Sequence, residues 1–229
     1  MNLGNKVVAI TGANGVLGRA MARAALDAGA RVALIDIGFD EKAAAFQGGA
    51  GASFHKTDLL DAESTRASFE AIGKIDALCN IAGGFTMGDP VHAQKPDVWR
   101  RMFDLNVQTL LNAVGAVVPG MVERGGGRIV NVGAMGGVSG QPFMGAYSAA
   151  KSVVIRSTES MSAELKGKGI NVNCVLPSII DTPANRADMP KANPADWVSP
   201  ADLAAVMLFL ISDQARAIHG AALPVRGLS

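Results

Sequence analysis

Cysteine is scarce in this chain: two of 229 residues, Cys79 and Cys174. Both lie inside apolar runs. A disulfide framework is therefore excluded as the basis of the fold, and two buried core thiols are expected. Net charge is nearly absent, at +1 from 21 basic and 20 acidic residues. Neither sign forms a long run, so the electrostatic footprint of a nucleic-acid-binding surface is missing. Long apolar runs are also lacking: Leu203 to Ile211 is about half of what a membrane span needs. The opening MNLGNKVVAI has no signal-peptide core. The expectation is a cytoplasmic protein with neither a membrane nor a nucleic acid as partner. The histidines His55, His92 and His219 lack the spacing of a metal site, so no metal is expected. Aromatic residues make up 5% of the chain, with one tyrosine, Tyr147.

What is plentiful points to a packed α/β domain. Hydrophobic residues reach 49%, charged residues 18%, and glycines number 27. That balance supplies a sizeable core and many tight turns. Apolar runs alternate with longer amphipathic segments. Strands are predicted at Lys6–Ile10, Arg31–Asp36, Ala52–His55, Ile75–Ile81, Arg128–Val132, Ile170–Leu176 and Ala221–Val225. Helices are predicted at Val16–Ala28, Ala62–Ile72, Asp97–Glu123, Tyr147–Lys166 and Pro200–Ser212, with a short one at Lys42–Phe46. Strands separated by helices pair in parallel through right-handed crossovers. The expected fold is one domain, residues 1–229: a doubly wound, seven-stranded parallel sheet with helices on both faces. Residues 177–199 form the one long irregular stretch and hold four of the ten prolines. They follow a strand's carboxyl end, where ligands bind in open α/β sheets, and are expected to form a substrate lid.

The first strand runs into Thr11-Gly12-Ala13-Asn14-Gly15-Val16-Leu17-Gly18 and then a helix. This is the setting of a Rossmann dinucleotide site. Gly12 allows a tight turn, Gly15 a close approach of the diphosphate, and Gly18 close packing of helix on strand. The helix start turns free N–H groups toward the phosphates. Asp36 ends the second strand, with Ile37 after it. A carboxylate there accepts hydrogen bonds from the adenosine ribose and repels a 2′-phosphate, so NAD(H) is expected over NADP(H).

Further along, the chain resembles the short-chain dehydrogenase/reductase family over essentially its whole length. Asp58-Leu59 is similar to the family's adenine-binding pair. Cys79-Asn80-Ile81-Ala82-Gly83 resembles its Asn-Asn-Ala-Gly element, with Ile81 at the second Asn. Asn106 matches the helix Asn of its proton relay. Tyr147-Ser148-Ala149-Ala150-Lys151 is similar to its Tyr-x-x-x-Lys. Pro177, Ile180 and Thr182 lie in a run resembling its Pro-Gly-x-x-x-Thr, which holds the nicotinamide amide; Ser178 stands at the Gly. The resemblance implies catalysis by Tyr147, Lys151 and Asn106. It also implies a homodimer or homotetramer paired through the long helices.

Tyr147 and Lys151 are four apart, so one helix face carries both. A phenol of ordinary pKa, about 10, exchanges protons slowly at neutral pH; a nearby ammonium is expected to lower it. Tyr147 then serves as general acid for reduction or general base for oxidation. Thirteen residues before the Tyr, where the family places a Ser, stands Ala134. A methyl cannot donate to a substrate oxygen. Ala134, Met135, Gln141 and Met144 are the expected substrate-side residues, with Ser139, Gln141 and Ser148 near enough in sequence to be replacement donors.

Within the family, dihydropteridine reductases show a similar set of features. These are the Gly12, Gly15, Gly18 spacing, Ala134, Ala82-Gly83-Gly84-Phe85, and a tail of Asp181-Thr182-Pro183-Ala184-Asn185-Arg186, Met189-Pro190-Lys191-Ala192 and Trp197. Asn106 departs from that subfamily. The expected activity is hydride transfer between NADH and a polarised C=N or C=O bond, with a quinonoid dihydropterin the leading substrate. Two alternatives stay open: an NAD-dependent alcohol dehydrogenase or ketoreductase lacking the Ser, and an NAD(H)-binding protein without turnover.

Overall fold

In the computed structural model, residues 1–39 and 51–229 are described. Seven strands form one all-parallel sheet: β1 (Val7–Thr11), β2 (Arg31–Asp36), β3 (Ala52–Lys56), β4 (Ala77–Asn80), β5 (Gly127–Val132), β6 (Ile170–Pro177) and β7 (Ala222–Val225). Their order is β3-β2-β1-β4-β5-β6-β7. The helices are α1 (Val16–Asp27), α2 (Ala62–Ile72), α3 (Pro96–Phe103), α4 (Thr109–Glu123), α5 (Gly145–Leu165), α6 (Pro183–Asp188) and α7 (Pro200–Ile211).

Alternation within the strands explains the two-sided core. In β1, Val8 and Ile10 join one cluster with Met21 of α1 and Leu203 and Met207 of α7. Val7 and Ala9 join the other, with Phe69 of α2, Val117 of α4 and Ile155 of α5. A parallel sheet covered on both faces needs apolar residues at successive positions, which is why these strands read as unbroken apolar runs.

Most expected elements fall within two residues of the observed ones. The short helix expected at Lys42–Phe46 lies outside the described residues. β4 is shorter than its apolar run because Ile81 and Ala82 give their N–H groups to the Thr11 hydroxyl instead. The expected helix Asp97–Glu123 is divided: a π-helical stretch, Asp104–Gln108, separates α3 from α4. Such insertions concentrate at functional sites, and this one carries Asn106. The run Pro96–Glu123 is long and apolar enough to cross a membrane by length and composition, which corrects the expectation that Leu203–Ile211 is the longest apolar stretch. Here Leu110, Ala113, Val117 and Met121 of that run are buried in the core.

Candidate active site

The sheet order reverses between β1 and β4, and in open α/β sheets the crevice at their carboxyl ends takes ligands. The Thr11 hydroxyl accepts the N–H groups of Ile81 at 3.0 Å and Ala82 at 3.2 Å, pinning the turn after β4 beside the turn after β1. Thr11 was not singled out from sequence, although its place before Gly12 was the available signal.

The glycine loop is fixed by steric need. Gly12 has φ +63°, and a Cβ there would lie 2.8 Å from the Ala82 nitrogen. A Cβ on Gly18 would collide with the Gly12 carbonyl oxygen and the Ala13 backbone. Gly15 opens α1 and offers no side-chain cap, which leaves the amides of Val16 and Leu17 to an incoming anion. The Asp36 carboxylate accepts the Asn14 N–H at 2.9 Å, so the acid at the end of β2 also holds the loop. Asn14 is gripped from its other side, as Arg19 donates to its carbonyl and amide oxygens. Ile37 and Asp58 are exposed beyond β2 and β3, and Leu59 is buried beside them. A backbone cradle that side chains would fill, an uncapped helix start and a half-exposed acid at the next strand end fit a dinucleotide.

Across the crevice, side chains do the work. The Asn80 amide donates to Asn131 at 2.9 Å, and Asn131 donates to Thr158 at 2.8 Å, tying β4, β5 and α5 together through buried groups. Asn106 accepts the Gly84 N–H at 3.2 Å and donates to the carbonyls of Gly84 and Met102, both at 3.0 Å. The exchange falls within the π-helical stretch, where the Asn106 side chain engages the Met102 carbonyl one turn back. A Cβ on Gly83 would come within 2.7 Å of the Asn106 amide oxygen and 3.4 Å of Lys151 Nζ. The structure thus gathers Gly83, Asn106 and Lys151.

Lys151 is buried and donates to the Val132 carbonyl at 2.8 Å. Its Nζ stands 6.0 Å from the centre of the Tyr147 ring. Burial pushes Lys151 down to about 8 and Tyr147 up to about 12. This corrects the expectation of a lowered phenol: at that separation the ammonium's pull does not overcome desolvation. Tyr147 therefore keeps its proton across the neutral range and holds it more tightly than a free phenol does. Phe85 meets Tyr147 edge to face, with ring centres 5.0 Å apart.

Ala134 is buried and extended at the exit of β5, and its carbonyl accepts the Gly137 N–H at 2.9 Å. Met135 packs against the core under α5, and Met144 is half-buried at the start of α5. Gln141 is exposed, its amide turned toward the Ser139 hydroxyl at 3.3 Å. The Ser148 hydroxyl is buried and has no hydrogen-bond partner.

Beyond β6, the Pro177–Ser199 stretch is more ordered than its prolines suggested. Ile180 bridges Val198, and Arg186 holds Asp181 through two bonds of 2.6 and 2.7 Å. The Thr182 hydroxyl caps α6 by accepting the Asn185 N–H at 3.1 Å, which leaves its own proton to donate. Ser178 donates to the Arg226 carbonyl at 2.7 Å, fastening the root of this segment to the last strand's extension.

A parallel wound sheet, a glycine-built dinucleotide crevice and a Tyr–Lys–Asn cluster at its mouth define an oxidoreductase of nicotinamide-cofactor type. Residues 6–193 match the short chain dehydrogenase family, and the chain belongs to it. It is 36% identical to "2-(S)-hydroxypropyl-CoM dehydrogenase 3" of Xanthobacter autotrophicus, covering 98% of this chain and 96% of the relative. It is 32% identical to "3-oxoacyl-[acyl-carrier-protein] reductase FabG" of Vibrio harveyi, covering 99% and 98%. A solved 3-oxoacyl-[acyl-carrier protein] reductase with bound NAD from Brucella melitensis is 30% identical, with TM-score 0.88, covering 99% and 91%.

Proposed function

We propose that this chain is an NADH-preferring reductase of a C=N or C=O bond that is already strongly polarised. A quinonoid dihydropterin is the best single candidate, as for a dihydropteridine-reductase-like enzyme. The observation that carries the reading is Ala134: the position facing the substrate in the family's pattern offers a methyl where a donor is usual. Losing such a donor costs an acyl-transfer site about 3–4 kcal/mol of transition-state stabilisation. A substrate with an electrophilic centre of its own tolerates that loss.

When bound, the nicotinamide supplies the hydride. Gly12, Gly15 and the amides at the start of α1 would hold the diphosphate, and Asp36 would accept from the ribose hydroxyls. Pro177, Ile180 and Thr182 would hold the nicotinamide end, the Thr182 proton serving its amide oxygen. Tyr147 holds a proton and gives it to the substrate heteroatom. Lys151, fixed by the Val132 carbonyl, would hold the hydroxyls of the nicotinamide ribose. Asn106 keeps the Gly84 backbone in place.

Residues 177–199 act as the lid in this reading. A second copy covers α4, where Leu111 is exposed and Gly115 faces open space, giving a homodimer or homotetramer in the cytoplasm. The test is single-turnover oxidation of NADH and NADPH against a panel of dihydropterins, ketones and 3-oxoacyl thioesters. Faster turnover of the quinonoid dihydropterin with NADH supports the proposal. Preference for 3-oxoacyl thioesters supports the second reading, an ordinary ketoreductase, which the 3-oxoacyl reductases among the relatives favour. No turnover with any member overturns both and leaves a nucleotide-binding protein.

A further inference from the structure

Eleven large apolar side chains are exposed among the described residues, and five of them lie on two short segments: Phe85, Met87, Val91, Val138 and Phe143. A backbone bond joins the two segments, and one of them packs on the reaction centre. The Gly88 N–H donates to the Phe143 carbonyl at 3.0 Å, the Gln94 side chain accepts the Ala146 N–H at 3.1 Å, and Phe85 rests against Tyr147. Phe85 and Phe143, 56% and 49% exposed, are the only exposed aromatic side chains among the described residues. An aromatic-poor chain has thus placed both on segments that are hydrogen-bonded to each other.

Phe143 carries a second signal. Its φ is +63°, in the left-handed region that a bulky residue enters only when its surroundings impose it. Gly or Asn would sit there with less strain. The chain tolerates the strain and leaves the ring half in solvent, so neither backbone preference nor core packing explains the phenylalanine.

We propose that Phe143 is a specificity-determining residue, forming with Phe85 an aromatic mouth that selects planar ring substrates for delivery to Tyr147. Flat rings gain from offset or edge-on contact with aromatic faces, whereas a flexible aliphatic chain gains only area. The inference deepens the proposed reductase activity and rests on the placement of Tyr147 as the reaction centre.

Binding separates it from turnover. The affinity of the NAD⁺-loaded protein for pterin, which is planar and fluorescent, is measured by fluorescence anisotropy. Wild type is compared with Phe143→Asn, which suits the left-handed backbone, and Phe143→Leu, which keeps apolar bulk without a flat face. The melting temperature and an NADH titration report on the integrity of each variant. About a tenfold loss in Phe143→Asn, with a clear loss in Phe143→Leu, supports the proposal. Full affinity in Phe143→Leu overturns selection by planarity, and unchanged affinity in both variants, or no pterin binding by wild type, overturns the proposal altogether. Failure of NADH oxidation while pterin binding depends on Phe143 sinks the hydride-transfer reading and leaves the aromatic mouth standing.

Discussion

The two sides of the crevice are built on different principles. On the β1–β2 side, backbone shape decides: Gly12 and Gly18 approach other backbone so closely that a single added carbon would clash. On the β5–β6 side, Gly133 and Gly137 are packed as tightly, against Leu176, Cys174 and the Lys151 backbone, but the chemistry hangs on side chains, Tyr147 and Lys151 above all. The family pattern is complete in Gly12, Gly18 and Asp36. Its departures concentrate at Ile81, Ala134 and Ser178. The difference teaches that the glycine loop is constrained by backbone approach, while the segments after β4, β5 and β6 vary in side chain on a fixed frame.

The sharpest way to break that comparison is to remove function from the second side without touching the first. Tyr147→Phe should lower kcat by a factor of 10²–10⁴, the usual range for losing a general acid, and leave the NADH dissociation constant nearly unchanged. Near-normal turnover would mean that the proton comes from another group. Lys151 adds a pH signature. Its folded pKa is depressed to about 8, so the ammonium persists below that value and is lost as the pH rises through it. Reduction should therefore be fastest below about pH 8 and fall above it. Lys151→Arg, whose guanidinium stays charged, should remove that fall if it folds, though turnover will be lower. An unchanged profile in Lys151→Arg would assign the titration elsewhere.

Breaking the first side should cost stability before chemistry. Gly18→Ala forces a methyl into the Gly12 and Ala13 backbone, and overpacking of this kind costs about 1–3 kcal/mol. Thermal melting should report it as a drop of several degrees, together with weakened NADH binding. Gly15 is the internal control. A Cβ there would meet only the Gly12 carbonyl oxygen, at 3.2 Å, so Gly15→Ala should melt closer to wild type. Equal melting of the two variants would refute the steric account.

These constraints also explain what the sequence revealed. Buried strands and the glycine loop were legible because their apolar continuity and their glycines are direct consequences of burial and close approach. The Tyr147–Lys151 pair was legible because four residues make a helical turn. The division of the long helix was not: the Asn106 side chain within it exchanges hydrogen bonds with Gly84, a partner 22 positions away that no local pattern announces. The pKa order of Tyr147 and Lys151 was also misread. Their sequence spacing gives proximity, but the burial that governs both is set by the surrounding chain. Phe85 was visible after Gly83-Gly84, yet only the fold places it against Tyr147.

Asp36 joins the two kinds of constraint, because one carboxylate orders the loop through Asn14 and is the one proposed to meet the ribose. Asp36→Ala should narrow the NADH-over-NADPH preference in kcat/KM by about tenfold, within the energy of a hydrogen bond to a charged group. It should also raise KM for NADH, since the loop loses its tether. Equal use of both cofactors by the unmodified protein would remove the basis for this assignment.

Ala134→Ser is expected to give the smallest effect, and it tests the substrate reading most directly. Ala134 is buried and extended at the exit of β5, so the exchange adds one hydroxyl to a rigid position and leaves the cofactor side untouched. A ketone develops negative charge on oxygen as the hydride arrives, and an added donor there should raise kcat/KM several-fold. A quinonoid dihydropterin is already electrophilic, so the same hydroxyl should leave its rate unchanged or slightly lower. The response is therefore a ratio between two substrates, insensitive to any general loss of stability in the variant. A rise for both would mean that oxyanion stabilisation limits both reactions and that Ala134 is no adaptation to a reactive substrate. High ketone activity in wild type, unmoved by the added hydroxyl, would mean that another donor already serves the site. The buried, unpartnered Ser148 hydroxyl would then be the first to replace, and the ketoreductase reading would gain over the dihydropterin one.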